Sequence, residues 1–156
     1  MSAQVSNVCR AAYSNLFSIA KILEMVQRSA ARVVLRIRRG DRRSMTAALE
    51  QLHWLPVRYC IKYKILVIVF RALRDRMPTY IASLITPNVP HRVLRSADRA
   101  LLVVPRHNLE RYGRRSFSRA GPTLWNALPE DLRSTECMNK FKAHLKTFYF
   151  KIAFNV

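Results

Sequence analysis

The sequence predicts a mainly α fold (α+β): a small helical domain around a central buried helix, with a short two-stranded β-hairpin. Three stretches carry that expectation. Leu16 to about Arg39 repeats apolar residues every 3.6 positions, Leu52 to Arg74 contains an unbroken apolar run, and Met138 to Ile152 again shows one apolar helical face. With 156 residues and 50% hydrophobic composition, the chain is long enough to bury a core as a single domain over 1–156.

Taken in order, residues 1–20 read as a loose N-terminal extension. The positions Leu16, Ile19, Leu23, Val26, Ala30, Val33, Val34 and Ile37 then form the apolar stripe of a long helix. Its other side carries Lys21, Glu24, Arg28, Arg32, Arg36 and Arg39. The last four stack like charges along one row, which costs roughly a few tenths of a kcal/mol per pair. Gly40 stands where a C′ residue ends a helix, and Arg42 and Arg43 carry the basic surface into the loop. Ser44 or Thr46 caps a short helix through Leu52, because either hydroxyl accepts a hydrogen bond from a first-turn N–H.

The central helix is predicted to begin near Val57, since Pro56 fits a helix start where its missing N–H has no partner to lose. From Ile65 to Phe70 every side chain is apolar (ILVIVF), so other elements must cover it on all sides. The same residue types favour strands, and a buried strand is the alternative for this stretch. Met77-Pro78-Thr79 breaks the pattern, with Thr79 capping a short helix Tyr80–Ile85. Residues 86–99 read as an extended basic loop. Leu101 to Val104 reads as a strand, with Ser116 to Ser118 as its partner across a loop containing Gly113. Gly121-Pro122 signals a turn, Leu124, Trp125 and Leu128 an apolar knot, and Pro129-Glu130-Asp131 a helix first turn with carboxylates at the positive end of the dipole. In the last helix Met138, Phe141, Leu145, Phe148, Tyr149 and Ile152 share a face that Lys140, Lys146 and Lys151 avoid.

Charge narrows the function. Against 28 Lys and Arg stand only nine Asp and Glu, giving a formal net charge of +19 and a pI near 11.2. Such self-repulsion points to a polyanionic partner, nucleic acid first and an anionic membrane surface second. The apolar run falls short of the ~18 residues a membrane span needs and is flanked by Lys62, Lys64 and Arg71, which excludes a span. Met1 to Leu23 is interrupted by Arg10, Ser14, Asn15, Ser18 and Lys21 and lacks the continuous apolar core of a secretory signal. With three scattered cysteines, Cys9, Cys60 and Cys137, the expectation is an intracellular protein, nuclear or cytoplasmic and not secreted.

No catalytic constellation emerges. A two-metal polymerase or nuclease site needs clustered carboxylates, and the one adjacent acidic pair, Glu130-Asp131, has a helix-start explanation. Three glycines are too few for a phosphate-cradling loop or a dinucleotide fingerprint. His53, His91, His107 and His144 share no metal-ligand spacing. We therefore expect no catalytic residues, no metal and no cofactor. The candidate contacts are arginines, whose planar forks suit phosphate: Arg28, Arg32, Arg36, Arg39, Arg42 and Arg43 in one set, and Arg92, Arg95, Arg99, Arg114 and Arg115 in a looser second set. Trp54 and Trp125 are candidate stacking platforms, but both sit among leucines, which favours core packing.

LHWLPVRYCIKYKILVIVFRAL, PTYIASLI, LRSAD, LLVVPR, GRRSFSRAGPTLWNALPEDLR and FKAHLKTFYF follow one another here in an order and spacing that resembles the C-terminal segment of non-LTR (LINE-class) retrotransposon reverse transcriptase polyproteins, from about Met25 to Phe150. The resemblance implies a parent that is an RNA-directed DNA polymerase with an endonuclease, both active centres lying before Met1. It implies for this segment a non-catalytic accessory role, binding RNA or nicked DNA during target-primed reverse transcription, with the upstream polymerase domain as a second partner. Some LINE classes carry a Cys/His zinc knuckle near the C-terminus, and this sequence shows none. Trp54, Pro56, Pro105, Gly121, Pro122, Trp125 and Pro129, which match, read as fold determinants. Two other readings stay open: a structural or interaction module that docks on the polymerase, and a decayed element copy with no selected function.

Overall fold

The computed structural model describes residues 3–38, 40–41, 43–74, 77–89, 100–106 and 116–155, with side chains from Ser18 onward. Among these residues there are seven helices: α1 (Ala3–Val34), α2 (Met45–Gln51), α3 (Val57–Ala72), α4 (Thr79–Ala82), α5 (Phe117–Asn126), α6 (Glu130–Arg133) and α7 (Met138–Phe154). The mainly α class is as the sequence predicts. The chain divides into two compact units, one of Met1–Cys60 with Phe150–Val156 and the other of Ile61–Tyr149, so the division falls inside α3 and α7.

In the first unit α1 starts at Ala3, ahead of the expected Leu16, so the extension over 1–20 is helical from that residue on. No proline or glycine interrupts this stretch. The helix also ends earlier than Gly40 suggested. The Ile37 N–H donates to the Arg32 carbonyl at 2.9 Å and the Arg36 N–H to the Val33 carbonyl at 3.2 Å, a Schellman closure with Arg36 in the left-handed region at φ 51°. Gly40, at φ 94°, serves a separate turn. Ser44 is the cap of α2, its hydroxyl accepting from the Thr46 N–H at 3.3 Å. The α2 C-terminus repeats the Schellman closure with His53 at φ 53°, the Trp54 N–H reaching the Leu49 carbonyl at 2.9 Å. Ala31, Ala48, Leu49, Leu55, Val57 and Tyr59 are buried here, and His53 stacks on Phe150 with centroids 5.5 Å apart.

In the second unit the apolar run of α3 forms a helix, so the alternative strand is not adopted. Leu66, Val69 and Phe70 are almost fully buried. Phe70 stacks on Phe141 of α7 at 4.4 Å, and Trp125 of α5 closes the cluster at 5.9 Å from Phe141 and 6.5 Å from Phe70. From α7, Phe141, Leu145 and Tyr149 supply the buried face, as the period predicts. Pro78, rather than Thr79, precedes α4, and Thr79 is its first residue.

Two expectations in this unit are overturned. Gly121-Pro122 does not turn the chain but lies inside α5, with both residues buried. A Cβ on Gly121 would stand 2.9 Å from Cγ2 of Val69 and 3.4 Å from Cδ1 of Ile85, so glycine lets α5 approach α3 closely, and that burial offsets the ~3 kcal/mol helix penalty of proline. Val69 is β-branched on a helix and has little χ1 freedom to move away. Gly121→Ala is therefore expected to lower stability by up to about 2 kcal/mol in a urea titration: overpacking costs roughly 1–3 kcal/mol, and the better helix propensity of alanine returns about 1.

The second correction concerns the hairpin. Ser116 precedes α5, and Phe117 and Ser118 are its first residues, so that stretch supplies no strand; Gly113 lies outside the described residues. Leu102 instead forms an isolated antiparallel bridge with Pro87, the Asn88 N–H donating to the Leu101 carbonyl and the Val103 N–H to the Thr86 carbonyl, each at 2.9 Å. On the other side of Leu102 the place of a neighbouring strand is taken by Asn126. Its Oδ1 accepts from the Leu102 N–H and its Nδ2 donates to the Leu102 carbonyl, both at 2.9 Å.

Candidate nucleic-acid interface

In the first unit, α1 presents different chemistry on different sides. The Ala31 side faces α2, and the Gln27 amide there donates to the Leu55 carbonyl at 2.7 Å. Roughly a quarter-turn or more away, Lys21, Arg28 and Arg32 are all exposed. Arg28 lines a cavity of about 250 Å³ together with Glu24, Gln27, Pro56, Val57 and Arg58. Two guanidinium-bearing residues and the start of α3 thus border one hollow, with a single carboxylate-bearing residue. The start of a helix carries partial positive charge and backbone N–H groups without intrahelical partners. Arg32 is held differently, its Nε donating to Sδ of Met45 at 3.4 Å.

The predicted row of four arginines is thus shortened. Arg28 and Arg32 share a helix side, whereas Arg36 lies beyond the end of α1 in a left-handed turn. The Schellman closure takes it out of the 3.6-residue register. Arg43 is turned back on its own loop: its Nε meets Oδ2 of Asp41 at 3.0 Å, and its backbone N–H meets Oδ1 at 3.1 Å. Arg39, Arg42, Arg92, Arg95, Arg99, Arg114 and Arg115 lie outside the described residues.

Arg58 was missed by the sequence reasoning, although its position held a signal. A cation in the first turn of a helix opposes the macrodipole, so α3 gains nothing electrostatically from it. Its guanidinium carbon lies 4.7 Å from the Tyr59 ring centroid. Trp125 is a core residue, as its leucine neighbours suggest: it is buried, and its indole N–H donates to the Ala100 carbonyl at 2.8 Å. Trp54 is half-buried.

With two guanidinium-bearing residues and a helix start around one hollow, the arrangement suits holding an anion. Among the described residues no group of three His, Cys, Asp or Glu side chains is placed to hold a metal ion, and no helix is long and apolar enough to cross a membrane. No protein-family model, curated protein or solved structure matches the chain.

Proposed function

We propose that this chain is a non-catalytic accessory segment of a LINE-type reverse transcriptase that holds RNA or nicked DNA by its phosphate backbone, with a polymerase domain as its partner in target-primed reverse transcription. The observation that carries the reading is the charge: one-to-one pairing of every acid would still leave a net +19, so the neutralising charge must come from outside the fold. Arg28, Arg32 and Arg58 on the first unit are the described residues best placed to supply contacts. Their work is electrostatic, positioning the backbone with little readout of base sequence.

The test is the salt dependence of binding to a short RNA and to a nicked duplex. Changing Arg28, Arg32 and Arg58 together to Gln is expected to flatten the slope of log affinity against log salt by about 2–3 units, since each lost phosphate contact removes roughly 0.7–0.9. Glutamine keeps the helix propensity and a polar side chain at these exposed positions, so folding is preserved. An unchanged slope overturns the assignment of this face. Absence of saturable binding at physiological salt by the unaltered chain would instead favour the docking-module reading, in which the basic residues meet acidic protein surface.

A further inference from the structure

The side of α1 that takes no part in the basic face or in packing on α2 is apolar and uncovered. Ile19, Leu23 and Val26 are each about half exposed, and Val33 is 77% exposed. A soluble helix does not ordinarily leave such a row in water. Their spacing is more specific than amphipathicity. Val5, Cys9, Ala12, Leu16, Ile19, Leu23, Val26, Ala30 and Val33 alternate steps of four and three without a break. That is a heptad repeat sustained over four heptads of one 32-residue helix, with Cys9, Leu16, Leu23 and Ala30 at a and Val5, Ala12, Ile19, Val26 and Val33 at d.

We propose that this seam pairs with the same seam of a second copy of the chain. Charge selects the occupant. In coiled coils the e and g positions flanking the seam set partner choice, and two chains of net charge +19 can meet only where those positions carry no cations. The e positions Ser6, Tyr13, Ala20, Gln27 and Val34 and the g positions Val8, Asn15, Ile22 and Ser29 are all uncharged. Every charge between Val5 and Val34 (Arg10, Lys21, Glu24, Arg28 and Arg32) sits at b, c or f, away from the seam. An acidic partner helix would call for basic flanks, which are absent. Neutral flanks match a partner with neutral flanks, and a second copy supplies them in register. Leu at a with Ile and Val at d favours more than two strands in parallel bundles, so the stoichiometry is read from the measured mass.

The experiment is light scattering coupled to size exclusion, on the full chain at about 50 μM in moderate and high salt. The expected result is an integral multiple of 18.2 kDa that persists or strengthens at high salt, because screening removes the repulsion between copies and leaves the apolar contact. Leu23→Glu with Val26→Glu is expected to weaken assembly about 100-fold or more while leaving the helical circular dichroism unchanged, since both side chains are exposed on the isolated copy. Val26→Asn is the milder variant and is expected to weaken assembly while keeping the fold. Arg28→Gln with Arg32→Gln is expected to leave the mass unchanged. A monomer at every salt concentration overturns the proposal and assigns the seam to a helix of another protein. An oligomer of unchanged mass and affinity in both seam variants overturns it as well.

Discussion

Phe141→Ala is expected to lower the unfolding free energy by about 3–5 kcal/mol, the range for removing a fully buried aromatic side chain. Phe141 is 0% exposed, stacks on Phe70 at 4.4 Å and lies 5.9 Å from Trp125, so truncation opens a cavity where α3, α5 and α7 supply their largest side chains. Neither neighbour can follow into the gap. Phe70 is itself 1% exposed and carries the Arg74 guanidinium 5.4 Å from its ring centroid, while Trp125 is fixed by its hydrogen bond to Ala100. A loss of this size rivals the ~5–15 kcal/mol total of an ordinary domain, so the variant is expected at the edge of unfolding. Urea denaturation followed by tryptophan fluorescence measures it. Ile152→Ala, at a 45% exposed position on the same helix, serves as the comparison and is expected to cost no more than about 1 kcal/mol. Equal losses in the two variants would show that the aromatic cluster is not the centre of the second unit.

Arg133→Met is expected to cost about 2–4 kcal/mol, because it removes two donors from carbonyls that have little access to water. Arg133 is 8% exposed, and its Nη1 donates to the Leu128 carbonyl at 2.7 Å and to the Asn126 carbonyl at 3.1 Å. These carbonyls lie at and just past the end of α5, where unpaired backbone oxygens and the negative end of the dipole favour a cation. No carboxylate pairs with this side chain among the described residues, and its Nε is buried without a hydrogen-bond partner. Methionine fills similar volume, so a loss isolates the hydrogen bonds rather than the packing. Arg133→Lys, a single point charge in place of the fork, is expected to recover about half of the loss. A methionine variant as stable as the unaltered chain would show that desolvating the guanidinium cancels the capping, as it does for many buried charges.

Elements built from one long period were legible in the sequence. The unbroken run of α3 and the Phe141–Leu145–Tyr149 face of α7 are each fixed by side chains that have nowhere else to go, whereas the stripe of α1 announced the helix but not a buried face, since Ile19, Leu23, Val26 and Val33 are exposed and Ala31 is the buried residue. Boundaries set by the backbone were not. Arg36 and His53 end their helices in left-handed conformations that arginine and histidine seldom adopt, so neither identity announces a C′ position. Gly121-Pro122 signals a turn wherever local preference decides, and here the close approach to Val69 decides instead. At the candidate interface the 3.6 period gave Arg28 and Arg32 correctly as neighbours. It carried Arg36 along only because nothing in the sequence marks the helix end at Val34. Arg58 was hidden because the hollow it lines is assembled from α1, α2 and the start of α3, which no single helical period links.

Asn126 has a consequence beyond holding the segment around Leu102 in place. Residues bridged on one flank leave the N–H and C=O of the intervening residue pointing outward, and such an open edge invites another chain to extend it. Because one amide side chain occupies both outward groups of Leu102, that edge is closed from within the fold, with no charged gatekeeper and no further strand required. The same two hydrogen bonds that anchor the segment to α5 also occupy the groups through which Leu102 would pair with another chain.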